Sequence, residues 1–136
     1  MFVVGANIDV PLMTIITRKA YGLGAQAMAG GSFKAPLFTV TWPTGEFGGM
    51  GLEGAVKLGY RKELQEIEDL EERKQTYEKM VAGMYERGKA VNMASHFELD
   101  DVIDPADSRA WIAGALRSVP PAPSRSHKKR PNVDTW

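Results

Sequence analysis

One junction constrains this chain more than any other. The apolar run Leu12-Met13-Thr14-Ile15-Ile16-Thr17 passes through Arg18-Lys19-Ala20 into Tyr21-Gly22-Leu23-Gly24, and Ala25-Gln26-Ala27-Met28-Ala29 follows. Two isoleucines between threonines favour extended backbone. The run alternates too little for a strand with one wet face, which predicts a strand over 12–17 covered on both faces, as in a parallel sheet. Gly22 and Gly24 predict a sharp turn, and the small residues 25–29 a short helix that Gly30-Gly31 stops. A strand that bends straight into a helix leaves first-turn N–H groups with no intrahelical acceptor, at the positive end of the helix dipole. Such donors can hold a developing oxyanion without any catalytic side chain.

The rest of the chain extends this α/β pattern. Residues 1–8 suggest the last turns of a helix, with Asp9-Val10-Pro11 as a break, and Met1-Phe2-Val3-Val4 reads as a chain that starts inside a structural element. Leu37–Trp42 predicts a second strand ended by Pro43-Thr44-Gly45, and Glu46–Met50 a short third one, with glycines at 48, 49 and 51 where something packs close. Leu52–Tyr60 predicts a helix with Glu53 in its first turn. Residues 61–90 form a charged, helix-forming segment. Asp69 and Glu72 have capping-box spacing there, and Leu70, Tyr77, Val81, Met84 and Tyr85 make an apolar stripe suited to lie against the domain or a partner. Asp104-Pro105-Ala106-Asp107 predicts a helix start, with Trp111, Ile112, Ala115 and Leu116 on one face. From Pro120 onward the Pro/Ser/basic composition predicts a tail, and no internal repeat is evident.

Composition excludes several chemistries. With no cysteine, the chain has no disulfide, no thiolate nucleophile and no Cys-bound metal. The formal net charge of zero gives no global field for nucleic acid or an anionic membrane, and no apolar run approaches the ~18 residues of a membrane span. The expectation is a cytoplasmic protein that binds neither.

His96 and His127 are too far apart in sequence to suggest a metal pair, and Ser32, Ser95 and Ser108 sit in no nucleophile elbow. Asp100, Asp101, Asp104 and Asp107 lack the spacing of a calcium loop, and capping explains two of them, so no metal site is expected. His127-Lys128-Lys129-Arg130 reads as a solvated tail. The two-glycine turn is neither a dinucleotide fingerprint, since Ala27 stands at the third glycine position, nor a P-loop. By itself it reads first as a structural strand-to-helix turn, since a lone G-x-G is a weak signal.

Three motifs in order add specificity: P-L-x-T-I-I-T-R-K-A-Y-G-x-G-A-x-A-M, then W-P-T-G-E-F-G-G-M-G-x-E-G-A-V, then D-V-I-D-P-A-D-S-R. Together they resemble the C-terminal half of biotin-dependent acyl-CoA carboxyltransferases, the β subunits of acetyl- and propionyl-CoA carboxylases, over roughly residues 10–118. The resemblance implies an α/β, crotonase-like (ClpP/crotonase superhelical) partial domain. It would span 1–119, truncated at its start, with the 61–90 segment as a long helical insertion and 120–136 as the tail.

The resemblance further implies that biotin, carried on a partner carrier protein, delivers a carboxyl group to an acyl-CoA of the acetyl or propionyl class. In such enzymes carboxybiotin releases carbon dioxide, the ureido nitrogen takes the α-proton of the acyl group, and the enolate attacks the carbon dioxide. Paired backbone N–H groups hold the oxyanions. Here those donors fall on Leu23 and Gly24, with Tyr21, Gly22 and Ala25 shaping the biotin pocket and Gln26 near the acyl end. Gln26 stands where many propionyl-CoA members carry an acidic residue. Expected partners are the biotin carboxyl-carrier or biotin carboxylase subunit and further copies of the chain. Inactivity without the acyl-CoA-binding half is expected. A non-catalytic assembly fragment and a biotin-independent crotonase are the rival readings.

Overall fold

The computed structural model describes residues 1–8 and 10–121, so Asp9 and nearly all of the expected 120–136 tail, including His127 to Arg130, lie outside the described residues. Helix α1 (Phe2–Asn7) leads into two successive strand–strand–helix units. The first is β1 (Thr14–Ile16), β2 (Lys19–Tyr21) and α2 (Gly22–Met28); the second is β3 (Thr39–Thr41), β4 (Glu46–Gly48) and α3 (Leu52–Gly59). Helices α4 (Arg61–Glu66), α5 (Leu70–Arg87) and α6 (Ala90–Ser95) follow, then β5 (Asp101–Val102), a 3-10 turn (Pro105–Asp107) and α7 (Ser108–Ser118).

The two units stack. Their first strands join β5 in a parallel sheet of order β1-β3-β5, and their second strands form a parallel pair, β2-β4. Thr14 lies opposite Thr39, and Tyr21 opposite Gly48. An architectural repeat therefore exists where the sequence shows none, because three-residue strands carry too little pattern to reveal it.

β3 is the central strand, and all three of its residues are buried. Its two threonines satisfy their hydroxyls internally. Thr39 Oγ1 donates to the Phe33 carbonyl at 2.6 Å, and Thr41 Oγ1 is within 3.1 Å of the Ile16 carbonyl and 3.0 Å of the Trp42 carbonyl. β1 is the outer strand among the described residues. Only Ile16 is buried, so the expectation of a strand covered on both faces is corrected. One core groups Ile16, Ala20, Phe47, Ala90 and Leu99; the other groups Phe38, Val40 and Ile103.

Other boundaries also differ from the expectations. Lys19–Tyr21 is a strand, and α2 begins at Gly22 rather than Ala25. The 61–90 segment holds two helices, α4 and α5, and only the first residue of α6; the first break falls at Ile67, whose extended ψ of 110° interrupts the ladder. Asp69 then caps α5 by accepting from the Glu71 and Glu72 N–H groups at 2.8 Å, and Arg73 Nε donates to the Ile67 carbonyl at 2.9 Å. Tyr77, Val81, Met84 and Tyr85 are half-buried, but Leu70 is 75% exposed and leaves the stripe. Val102 belongs to β5 and only then does Asp104 cap the turn, accepting from the Ala106 N–H at 2.8 Å. Trp111 and Ala115 pack against the Phe38 core while Ile112 and Leu116 face solvent, since α7 presents a face narrower than the four-residue stripe. Of the 48, 49 and 51 glycines, only Gly48 is tightly packed.

Candidate functional site

The β2–α2 junction is built without a loop. Tyr21 ends the strand with φ −111° and ψ 131°, and Gly22 opens the helix at φ +61°. That left-handed conformation brings backbone against backbone: a Cβ on Gly22 would lie 2.7 Å from the Gly49 carbonyl oxygen. Glycine is the residue that fits there.

The bend aims β2 directly at the start of α2. Leu23 and Gly24 stand in the first turn, where N–H groups lack intrahelical acceptors, and no side chain among the described residues caps this helix. Leu23 is 70% exposed. A Cβ on Gly24 would meet nothing within 4 Å, so this glycine borders open space.

Two cavities flank the junction. An open cleft of about 770 Å³ runs along residues 13–21 and the near side of α2, with Tyr21, Gly24 and Ala25 in its wall. A smaller cavity of about 210 Å³ lies on the other side, lined by Gly22 and Gln26 together with Phe33, Gly48, Met93 and Glu98. Tyr21, Gly24 and Ala25 thus share one cleft. Gly22 and Gln26, four residues apart on the helix, face the other cavity, and Leu23 borders neither among the described residues.

Polar side chains gather behind the junction. The Tyr21 hydroxyl donates to Glu46 Oε2 at 3.0 Å, and the Tyr85 hydroxyl to Glu53 Oε1 at 2.6 Å. Burial, and next the carboxylate of Glu46, pushes the Tyr21 phenol well above its ordinary value. The bond to Glu53 likewise raises the Tyr85 phenol and holds the Glu53 carboxyl below the usual carboxylate range. Lys19 Nζ lies 6.0 Å from the Tyr21 ring centroid.

A titration should expose this arrangement. The folded state holds the Tyr21 and Tyr85 protons more tightly than the unfolded chain. Their stabilisation is therefore complete below the ordinary phenol value of 10.0 and is lost as pH climbs through the higher folded-state values. Tyr21 and Tyr85 should ionise above the ordinary phenol value of 10.0 in a tyrosinate absorbance titration, and Tyr21→Phe should remove one such late step. A late rise that survives that substitution unchanged contradicts the assignment.

Glu46 is the residue at this junction that sequence reasoning missed; it registered there only as part of a short strand. The available signal was the parallel pairing of the two units, which no local pattern reveals. The acidic group near the C-terminal strand is occupied structurally: Asp100 Oδ2 accepts from the Thr39 N–H at 2.7 Å, and Asp104 caps the turn. Among the described residues, no helix is long and apolar enough to cross a membrane.

Residues 4–133 match the family described as Carboxyl transferase domain. The propionyl-CoA carboxylase carboxyltransferase subunit of Haloferax mediterranei is 36% identical over 129 residues, which cover 91% of this chain and 24% of that protein. The methylmalonyl-CoA carboxyltransferase 12S subunit of Propionibacterium freudenreichii is 36% identical over 111 residues, covering 79% of this chain and 20% of the relative. The chain thus spans about a quarter of the length of such relatives or less. Among solved structures, the hexameric transcarboxylase 12S with methylmalonyl-CoA aligns at a TM-score of 0.75 and 28% identity, over 96% of this chain and 25% of that one. A single-chain, multi-domain long-chain acyl-CoA carboxylase aligns at 0.71 and 61% identity, over 84% of this chain and 11% of that one.

Proposed function

Because the chain belongs to the carboxyl transferase domain family, we propose that it forms the C-terminal, biotin-facing part of an enzyme that moves a carboxyl group from carboxybiotin to an acyl-CoA. Its fold is a partial crotonase-like domain, α/β with parallel sheets, shared with carboxyltransferase structures. The observation that carries the reading is the uncapped first turn of α2 beside an open cleft walled by Tyr21, Gly24 and Ala25.

The residues present fit the ring system of biotin: Gly24 offers no side chain to obstruct it, and the space beyond its Cα is open. When bound, carboxybiotin supplies the carboxyl group as carbon dioxide and carries the developing charge on its ureido oxygen. The Leu23 and Gly24 N–H groups, in the uncapped first turn of α2, would hold that oxygen. Loss of one such donor typically costs about 3 kcal/mol of transition-state stabilisation. Tyr21 and Ala25 shape the wall, while Gly22 makes the bend that presents the donors. Gln26 faces the acyl end from the smaller cavity. The 61% identity to the long-chain enzyme favours a longer acyl chain than the acetyl or propionyl class expected from the sequence.

The carrier protein that brings biotin and further copies of the chain complete the enzyme in this reading, as does the acyl-CoA-binding half. The 136-residue chain alone should make no malonyl-CoA or methylmalonyl-CoA from carboxybiotin. Formation of either would overturn that expectation. Titration with free biotin should shift the amide resonances of Leu23 and Gly24.

The second reading, a non-catalytic assembly fragment, draws on α1, which has no buried residue and exposes Phe2, Val3 and Val4. Amide signals that ignore biotin, together with self-association of the chain, would favour it.

A further inference from the structure

Glu46 stands at the start of β4, in register with Lys19, and Gly48 stands in register with Tyr21. Because side chains alternate along a strand, Lys19, Tyr21, Glu46 and Gly48 share one face of the β2–β4 pair. The Gly48 backbone lies beside the Tyr21 ring: a Cβ there would make ordinary contact with Tyr21 Cδ1 at 3.6 Å and would collide with Leu52 Cδ2 at 2.6 Å. The ring therefore lies beside bare backbone, and the 3.0 Å bond from its hydroxyl to Glu46 ties its far end.

β4 is itself pinned from the other edge. The Phe47 N–H donates to the Gly88 carbonyl at 2.8 Å and the Ala90 N–H to the Gly45 carbonyl at 3.1 Å, while Glu46 bridges Lys89 antiparallel. Glu46 thus sits on backbone held on both sides and reaches the side chain that immediately precedes the Gly22 bend.

We propose that Glu46 is a positioning residue: its carboxylate holds the Tyr21 ring beside Gly48 and so fixes the backbone that carries the Leu23 and Gly24 N–H groups, at the turn where Gly24 enters the cleft wall. This rests on the biotin reading above for its functional meaning. The charges of Tyr85 on α5 and Glu53 on α3 also raise the Tyr21 phenol, after burial and Glu46. Glu46 touches no reacting atom; its effect passes through Tyr21.

The test compares Glu46→Ala, Glu46→Gln and Tyr21→Phe in the whole 136-residue chain, by amide resonances with and without free biotin. Hydrogen bonds to charged groups are strong enough that Glu46→Ala should weaken biotin binding roughly 10- to 100-fold. It should also displace the ligand-free Leu23 and Gly24 amide signals while those of Val40 and Ile103 stay in place. Glu46→Gln keeps an acceptor oxygen and should recover most of the affinity. Tyr21→Phe should reproduce the displacement, and combining it with Glu46→Ala should add no further loss. Unmoved Leu23 and Gly24 signals, failure of Glu46→Gln to recover, additive losses, or an equal disturbance of Val40 and Ile103 would each overturn the proposal. Absence of any biotin response in the unsubstituted chain sinks only the biotin reading, because the displacement is read without ligand.

Discussion

Gly22→Ala should lower the stability of the chain by about 2–3 kcal/mol, whereas Gly24→Ala should raise it by roughly 0.5–1 kcal/mol. The two glycines lie two positions apart in the same motif but do different things. Gly22 adopts φ +61° and its absent Cβ would sit 2.7 Å from the Gly49 carbonyl oxygen, so alanine there meets both a backbone penalty and a collision with main chain. Gly24 is helical with open space around it, so alanine there gains helix propensity at no steric cost to the fold. In the proposed biotin reading, the methyl group would nevertheless project where the flat bicyclic ring approaches. The expected pair of results is a lowered urea midpoint for Gly22→Ala, and a raised midpoint with a lost biotin response for Gly24→Ala. Equal midpoints for the two variants would refute the distinction. A Gly24→Ala chain that still shifts its Leu23 amide on biotin addition would remove Gly24 from the site.

Leu52→Ala should cost about 2–5 kcal/mol, the range for emptying a buried leucine position. Leu52 is 1% exposed and opens α3 at the point where that helix closes over β4. Its Cδ2 fills the space that a Gly48 side chain would occupy, 2.6 Å from the Cβ position. Gly48→Ala alone should therefore also destabilise, by about 1–3 kcal/mol, through overpacking. The double variant should be more stable than the sum of the two losses predicts, by about 1 kcal/mol or more, because removing Cδ2 relieves the collision. Strict additivity in a denaturant-unfolding cycle would show that the two groups do not compete for that space.

The sequence made several elements legible because their cues are local. Asp69 and Asp104 both cap as their spacing predicts, and of the two glycines expected to make the turn, Gly22 alone takes the left-handed backbone that bends it. The strands at Ile15 and Val40 and the helix from Leu52 follow from composition and periodicity. β2 was invisible: three residues, Lys19-Ala20-Tyr21, with only Ala20 buried, give no pattern a reader could separate from a turn. The Asp69 cap signalled a helix start at Leu70, but the end of α4 at Glu66 was hidden, since its charged surroundings favour helix. The candidate site divides the same way. Leu23 and Gly24 could be named from the junction and the family resemblance. That Gln26 and Gly22 face a different cavity from Tyr21 and Ala25 followed only from how α2 lies on the sheets.

What the sequence settled alone was therefore chemistry confined to a few neighbouring residues: caps, the glycine bend and the absence of any thiol, together with the order of the three motifs that carries the family. What needed the folded chain was everything set by pairing between distant segments. The stacking of two strand–strand–helix units and the meeting of Tyr21 with Glu46, 25 residues away, are of this kind. The reason is physical. Capping and backbone conformation are decided by interactions within a turn or two, but a parallel register is fixed by side chains that must bury together from separate units. No window of sequence contains both partners of such a contact.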